Sequence, residues 1–152
     1  MTGIMTSYID KICQLKKRNK PILGCAPLYP PLELFHSMGI TPLVLWGLRD
    51  LVSGTSHSDR HLQNYACSVA RNYTEFVLSE SGKLLDGLFI YNACDTLRNL
   101  PEILECGIRG SGRDLIPIVK MHLPVVSTAQ SPSAIDYIRN KINVLPQDSA
   151  SV

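Results

Sequence analysis

Apolar residues along the chain fall into two kinds of run. Short continuous blocks alternate with longer stretches in which apolar positions recur every three or four residues. Met5 to Lys17 sets Ile9, Ile12, Cys13 and Leu15 on one face and predicts a short amphipathic helix. Pro21-Ile-Leu-Gly-Cys-Ala26 predicts a buried strand bounded by prolines. Pro30 and Pro31 then open a helix through Leu34, Phe35 and Met38, which Gly39 closes. Thr41 to Trp46 predicts a second strand, followed by a polar loop over Gly47 to Asp59. A long helix is predicted from about Leu62 to Ser79, with Val69, Tyr73, Phe76 and Val77 on its apolar face. Leu84 to Asn92 reads as a third strand and Thr96 to Glu105 as a helix whose free amides Asp95 can cap. Leu115 to Met121 reads as a fourth strand, and Pro117 argues for an edge position. Ser131 to Val144 reads as a last helix, with Ser131 as N-cap and Pro132 at its first position.

Strands joined by helix-length connections require parallel pairing, because a parallel crossover needs a dozen or more residues. The expected fold is therefore α/β: one Rossmann-like or flavodoxin-like three-layer domain with a mostly parallel four-stranded sheet. It is expected to span residues 1–145, with 146–152 as a flexible polar tail. The order of strands is not readable from the pattern.

Composition adds exclusions. With 152 residues, 45% hydrophobic and 18% charged, the chain can bury an ordinary core. Fifteen Lys and Arg against thirteen Asp and Glu leave a net charge of +2, which is no field for a nucleic acid. The basic run Lys16, Lys17, Arg18 and Lys20 sits where a helix should end, and there cations meet the negative end of its dipole. No apolar run reaches the ~18–20 residues that span a bilayer. The first residues lack the apolar stretch of a secretion signal, so a cytoplasmic location without a membrane partner is expected.

Cysteines occur at positions 13, 25, 67, 94 and 106. Their odd number argues against a disulfide framework, and no CxxC pair is present. Free cysteine is among the most buried residue types, so burial is the expectation for each taken singly. Two of them break that pattern. Cys94 lies at a strand-to-helix turn, where amides and the helix dipole favour an anionic ligand. Cys67 lies near the start of the long helix. Each has an arginine four residues on, Arg71 and Arg98. Thiols at helix starts facing one crevice suit an iron–sulfur cluster or a redox pair, and spacing does not choose between them. GxSxG, GxGxxG and P-loop motifs are absent, and His57 and His61, though four apart, begin in a Ser/Gly loop.

Several stretches together resemble a known family: Pro21-Ile-Leu-Gly-Cys-Ala-Pro-Leu-Tyr-Pro-Pro-Leu-Glu-Leu34, Gly39-Ile-Thr-Pro-Leu43, Ala66-Cys-Ser-Val-Ala-Arg71 and Leu85-Asp-Gly-Leu-Phe-Ile-Tyr-Asn-Ala-Cys-Asp-Thr-Leu-Arg-Asn-Leu100. They resemble the 2-hydroxyacyl-CoA dehydratase and benzoyl-CoA reductase family, which includes the D-component of 2-hydroxyglutaryl-CoA dehydratase. The likeness covers about residues 20–145, and Met121-His-Leu-Pro124 adds to it. It implies a [4Fe-4S] cluster held by three cysteines in a cleft between two α/β domains. It further implies an ATP-dependent activator protein that delivers one electron, and an acyl-CoA substrate. Dehydratases of the family form a ketyl radical from the thioester carbonyl, whereas its reductases use the electrons on an aromatic ring.

By position, Cys67 and Cys94 match the first two cluster ligands. Arg71, Asp95 and Arg98 would surround them, and Tyr29 and Glu33 would lie on the substrate side. Two departures stand out. Leu28 occupies a position where the family often has serine, and Leu32 replaces the first of two glutamates. The third cluster cysteine belongs to a second domain that these 152 residues do not include. The implied role is an iron–sulfur subunit, or the N-terminal half of one, that works with a second α/β domain or paralogous subunit. The alternative is a non-catalytic truncated homologue, or an assembly partner with a vacant cluster site. A flavodoxin-like binder of a small ligand is disfavoured by the lack of a phosphate-cradling glycine loop.

Overall fold

The computed structural model describes residues 2–17 and 19–123, together with 136, 139 and 140. The elements run α1 (Thr2–Lys17), β1 (Ile22–Ala26), α2 (Leu32–Ser37), β2 (Thr41–Val44), α3 (Ser68–Leu78), β3 (Gly87–Tyr91), α4 (Asp95–Gly110) and β4 (Ile118–Met121). Three short 3-10 turns, Leu48–Asp50, Ser58–Arg60 and Glu80–Leu84, flank α3. All four strands are parallel, in the order β2-β1-β3-β4. The fold is thus the expected α/β sheet, and β4 does lie at an edge. Pro117 stands just outside β4, where its carbonyl still accepts from the Leu88 amide at 2.9 Å. None of the described helices is long and apolar enough to cross a membrane.

Alternation along the strands splits the core into two layers. Ile22, Ala26, Leu88 and Ile90 face a large cluster with Ile12 of α1, Tyr73, Phe76 and Val77 of α3, and Leu97, Leu100, Leu104 and Ile108 of α4. Leu23, Cys25, Phe89 and Met121 face the other way, onto Phe35 of α2. The division is the one expected when parallel crossovers keep their usual right hand. The step from β1 to β2 and the steps from β2 to β3 and β3 to β4 run in opposite directions across the sheet. Asp86 ties the start of the sheet together, accepting from the Ile22 amide at 2.9 Å and from Lys16 at 2.6 Å. Gly82 is required where the chain doubles back from α3, because a Cβ there would stand 1.9 Å from the Val77 carbonyl oxygen.

Three expectations need correction. The long helix begins at Ser68, not near Leu62. The Ala66 amide, which a helix from Leu62 would give to the Leu62 carbonyl, donates instead to the Gln63 carbonyl, while the Leu62 amide closes the preceding turn on Ser58. Leu62 is apolar because it is buried, not because it continues a helical face. Secondly, Asp95 does not cap α4. It is the first helical residue, and Cys94 occupies the cap with no side-chain hydrogen bond. The helix also runs on to Gly110, because Ile108 extends the buried stripe of Leu97, Leu100 and Leu104. The third correction concerns cysteine burial. Only Cys25 is buried; Cys67, Cys94 and Cys106 are exposed and Cys13 is intermediate. The predicted helix over 131–144 and the tail over 146–152 lie outside the described residues, apart from Asp136, Arg139 and Asn140, which are helical.

Cys25 carries a pH-dependent consequence. Burial pushes its thiol from an ordinary 9.0 up to about 12, and the Leu43 backbone only partly opposes that. Burial likewise raises the Tyr73 hydroxyl. A group whose folded pKa is raised holds its proton longer in the folded state. The stabilising contribution of Cys25 is therefore complete below pH 9.0 and is lost as pH climbs towards about 12, at up to about 1.4 kcal/mol per pH unit. Urea titrations of wild type and Cys25→Ala between pH 8 and 11 (about the accessible range) should show the shallower decline in the variant. Parallel curves would contradict this.

Candidate functional site

β3 runs parallel to β1 and β2, so the chain leaving β2 must travel back along α3 to start β3. That geometry puts the start of α3 and the start of α4 on the carboxyl side of the sheet, where open α/β sheets collect ligands. Cys67 and Cys94 are the N-cap residues of these two helices. Both are extended, Cys67 at φ −60°, ψ 148° and Cys94 at φ −154°, ψ 169°. Their carbonyls accept the first helical bonds, from the Arg71 amide at 3.1 Å and the Arg98 amide at 3.0 Å. Neither side chain is spent on its helix, as serine or aspartate would be at this position. Both residues are exposed.

Thiolates are the usual donors to iron–sulfur clusters, and three or four are needed. Cys67 and Cys94 supply two. Among the described residues no three His, Cys, Asp or Glu side chains come together as a metal-holding group. The donor chemistry of the described residues therefore fits part of a cluster site and not a complete one. Cys25 is no candidate, being wholly buried with its thiol directed to the Leu23 carbonyl at 3.5 Å.

The other residues singled out in the sequence are distributed around this edge. Asp95 occupies the first position of α4, and Arg98 is exposed one turn on. Arg71 turns back to the preceding loop, pairing with Asp59 and donating to the Asn64 carbonyl at 3.4 Å. It braces the chain that leads into Cys67. Glu33 is exposed in the first turn of α2. Tyr29 has a positive φ of 65° and is 90% exposed, a strained and unshielded aromatic between β1 and α2. Tyr65, two residues before Cys67, is 89% exposed.

Several residues that support these segments escaped sequence reasoning. Glu75 is buried on α3, and its carboxylate accepts from the His57 and Ser58 amides at 2.8 Å each. A polar residue inside an apolar helix face is a detectable signal, but its partners are eighteen and seventeen positions away. Tyr91 donates its hydroxyl to the Leu28 carbonyl at 2.5 Å. Burial, and secondarily the neighbouring Tyr29, push that hydroxyl above its usual range, so it remains a donor. Asn92 bonds through its side chain to the backbone of Leu123.

Comparison with known proteins gives this edge a family. The model of the family described as 2-hydroxyglutaryl-CoA dehydratase, D-component, matches residues 27–147. The chain belongs to that family. It is similar to the beta subunit of (R)-2-hydroxyglutaryl-CoA dehydratase from Acidaminococcus fermentans, with 26% identity over 115 residues, covering 76% of this chain and 29% of that subunit. It is also similar to a subunit of benzoyl-CoA reductase from Thauera aromatica, at 32% identity over 82 residues, covering 54% of this chain and 21% of the relative. The beta subunit of (R)-phenyllactyl-CoA dehydratase from Clostridium sporogenes is 30% identical over 91 residues, covering 60% of this chain and 23% of that subunit. The chain thus spans less than a third of the length of these relatives, all of which are named as subunits of larger enzymes. The region matched by the D-component family contains α2, both capping cysteines and strands β2, β3 and β4, and it begins directly after β1.

Proposed function

We propose that this chain forms one cluster-holding lobe of a dehydratase or reductase that acts on a CoA thioester. The observation that carries this is the pair of exposed, uncommitted cysteines at the N-caps of α3 and α4 on one edge of the sheet. Cys67 and Cys94 would hold a [4Fe-4S] cluster, which supplies one-electron chemistry when bound. Asp95 and Arg98 set the local charge beside Cys94, and hydrogen bonds and charge around thiolate ligands tune a cluster's potential. Arg71 acts through its Asp59 partner to keep the loop before Cys67 in place. Tyr29 and Glu33 stand where an acyl-CoA substrate would approach. The remaining ligand would come from a second α/β lobe or a paralogous subunit, in keeping with the short span of the relatives that this chain covers. An ATP-hydrolysing activator protein is the corresponding electron donor.

Anaerobic reconstitution with iron and sulfide tests this reading through visible absorption and iron content. With an exogenous thiol such as dithiothreitol to complete the coordination that the two cysteines leave open, wild-type protein should take up iron and turn brown. Cys67→Ala and Cys94→Ala should each lose most of it, because each removes one of only two donors. Variants that bind as much iron as wild type would exclude these ligands. A colourless wild type would favour the other reading, a non-catalytic homologue or assembly partner with a vacant site, which the two-donor set among the described residues also supports.

A further inference from the structure

We propose that Tyr91 and Asn92 are positioning residues that lock the loop after β1 and the segment after β4 into register with Cys94. Tyr91 is the last residue of β3 and Asn92 the first beyond it. The last pairing between β3 and β4 is Tyr91 with Met121, and β1 pairs with β3 only as far as Ile90. Beyond those points one backbone bond and the Asn92 side chain hold the chain. The Asn92 amide group stands in for a peptide unit: Nδ2 donates to the Leu123 carbonyl at 3.2 Å, and Oδ1 accepts from the Leu123 amide at 2.6 Å. Its own backbone amide donates to the Met121 carbonyl at 3.3 Å. Three bonds thus fix residues 121–123 to one side chain and its backbone.

The Ala93 amide donates to the Tyr91 carbonyl at 2.9 Å, closing a tight turn centred on Asn92. Cys94 follows that turn by one residue. The direction in which the chain leaves the sheet at Cys94 is set by Asn92, which one backbone bond and its own side chain tie to β4 and the residues after it. On the other flank, the Tyr91 hydroxyl grips Leu28 directly before Tyr29. The Leu32 amide closes on the Pro30 carbonyl at 2.8 Å directly after it. A non-glycine residue at positive φ persists only when its surroundings over-determine it, and these two bonds are the restraints that bracket Tyr29.

The use of this register for cluster or substrate rests on the reading of Cys94 and Tyr29 given above. The register itself does not, and it can be measured in cluster-free protein. The probe is a nitroxide on one cysteine at a time in the full chain, with the other exposed cysteines changed to serine. In Asn92→Ala, the label on Cys94 should gain mobility, its correlation time shortening about twofold or more, while a label on Cys67 keeps the wild-type spectrum. Asn92→Asp retains the acceptor for the Leu123 amide but turns a carboxylate oxygen towards the Leu123 carbonyl, so it should restore only part of the restriction. In Tyr91→Phe, a label introduced by Tyr29→Cys should loosen and the Cys94 label should not. An unchanged Cys94 spectrum in Asn92→Ala would overturn the proposal, as would equal loosening at Cys67, which marks general destabilisation. Should Asn92→Ala fail to fold, Asn92→Ser, whose hydroxyl is too short to make both bonds to Leu123, takes its place: it should loosen the Cys94 label alone, and an unchanged spectrum there overturns the proposal equally. Failure to bind iron would refute the cluster reading and leave these results standing.

Discussion

Phe89→Ala is expected to lower the unfolding free energy by about 3–5 kcal/mol. Phe89 sits on β3, an interior strand, between Cys25 of β1 and Val119 of β4. It is completely buried. Its ring meets Phe35 edge-to-face at 5.1 Å and 66°, and lies 6.4 Å from Tyr91. Among the described residues the layer it belongs to has five buried members, so its removal leaves a void that few neighbours can refill. The transfer term and the cavity term then act together. A domain of ordinary stability, about 5–15 kcal/mol, loses a large fraction of its margin. Phe89→Leu keeps most of the volume and should cost less than about 1.5 kcal/mol. Urea unfolding followed by circular dichroism measures both. A loss below about 1 kcal/mol for the alanine variant would mean that the α2 layer is not packed as described.

Glu75→Ala should be nearly as damaging, and for a polar reason. Its carboxylate accepts from the His57 and Ser58 amides, and Ser58 is wholly buried. Alanine leaves both donors without a partner inside the fold, which costs about 1–3 kcal/mol for each buried group. The loop concerned carries Asp59, the partner of Arg71, on the approach to Cys67. Loss of Glu75 therefore weakens the support of the candidate site as well as the fold. Glu75→Gln keeps an oxygen acceptor and surrenders only the charge assistance, a loss of about 1 kcal/mol. Hydrogen exchange at the His57 and Ser58 amides separates the two variants: fast in alanine, close to wild type in glutamine. Equal protection in both would show that the carboxylate does not hold the loop.

Local patterns carry much of the fold. The blocks at Ile22–Ala26 and Gly87–Tyr91 are interior strands covered on both faces and read as continuous apolar runs for that reason. Pro42 within β2 and Pro117 just before β4 mark the two edge strands, because a residue without an amide cannot donate on both sides of an interior strand. The start of α3 is harder to read. Leu62 and Ala66 match a helical stripe, while their backbone is committed to turns that depend on contacts with Glu75 and its loop. The same difference moves Cys67 from within a helix to its cap. The motif alone puts Cys94 at the strand-to-helix turn, yet its place as N-cap in preference to Asp95 depends on backbone angles.

The α/β class, the parallel sheet, the two cysteines of interest and a resemblance that family membership bears out are all present in the order of residues. These properties reside in periodicity, turn residues and short motifs, which are local. The strand order, the exposure of Cys67, Cys94 and Cys106, and the ties from Glu75, Tyr91 and Asn92 exist only once the chain has folded. Those ties join residues seventeen to sixty-three positions apart. Their partners are mostly backbone amides and carbonyls, which nearly every residue type carries and which therefore leave no mark in the sequence.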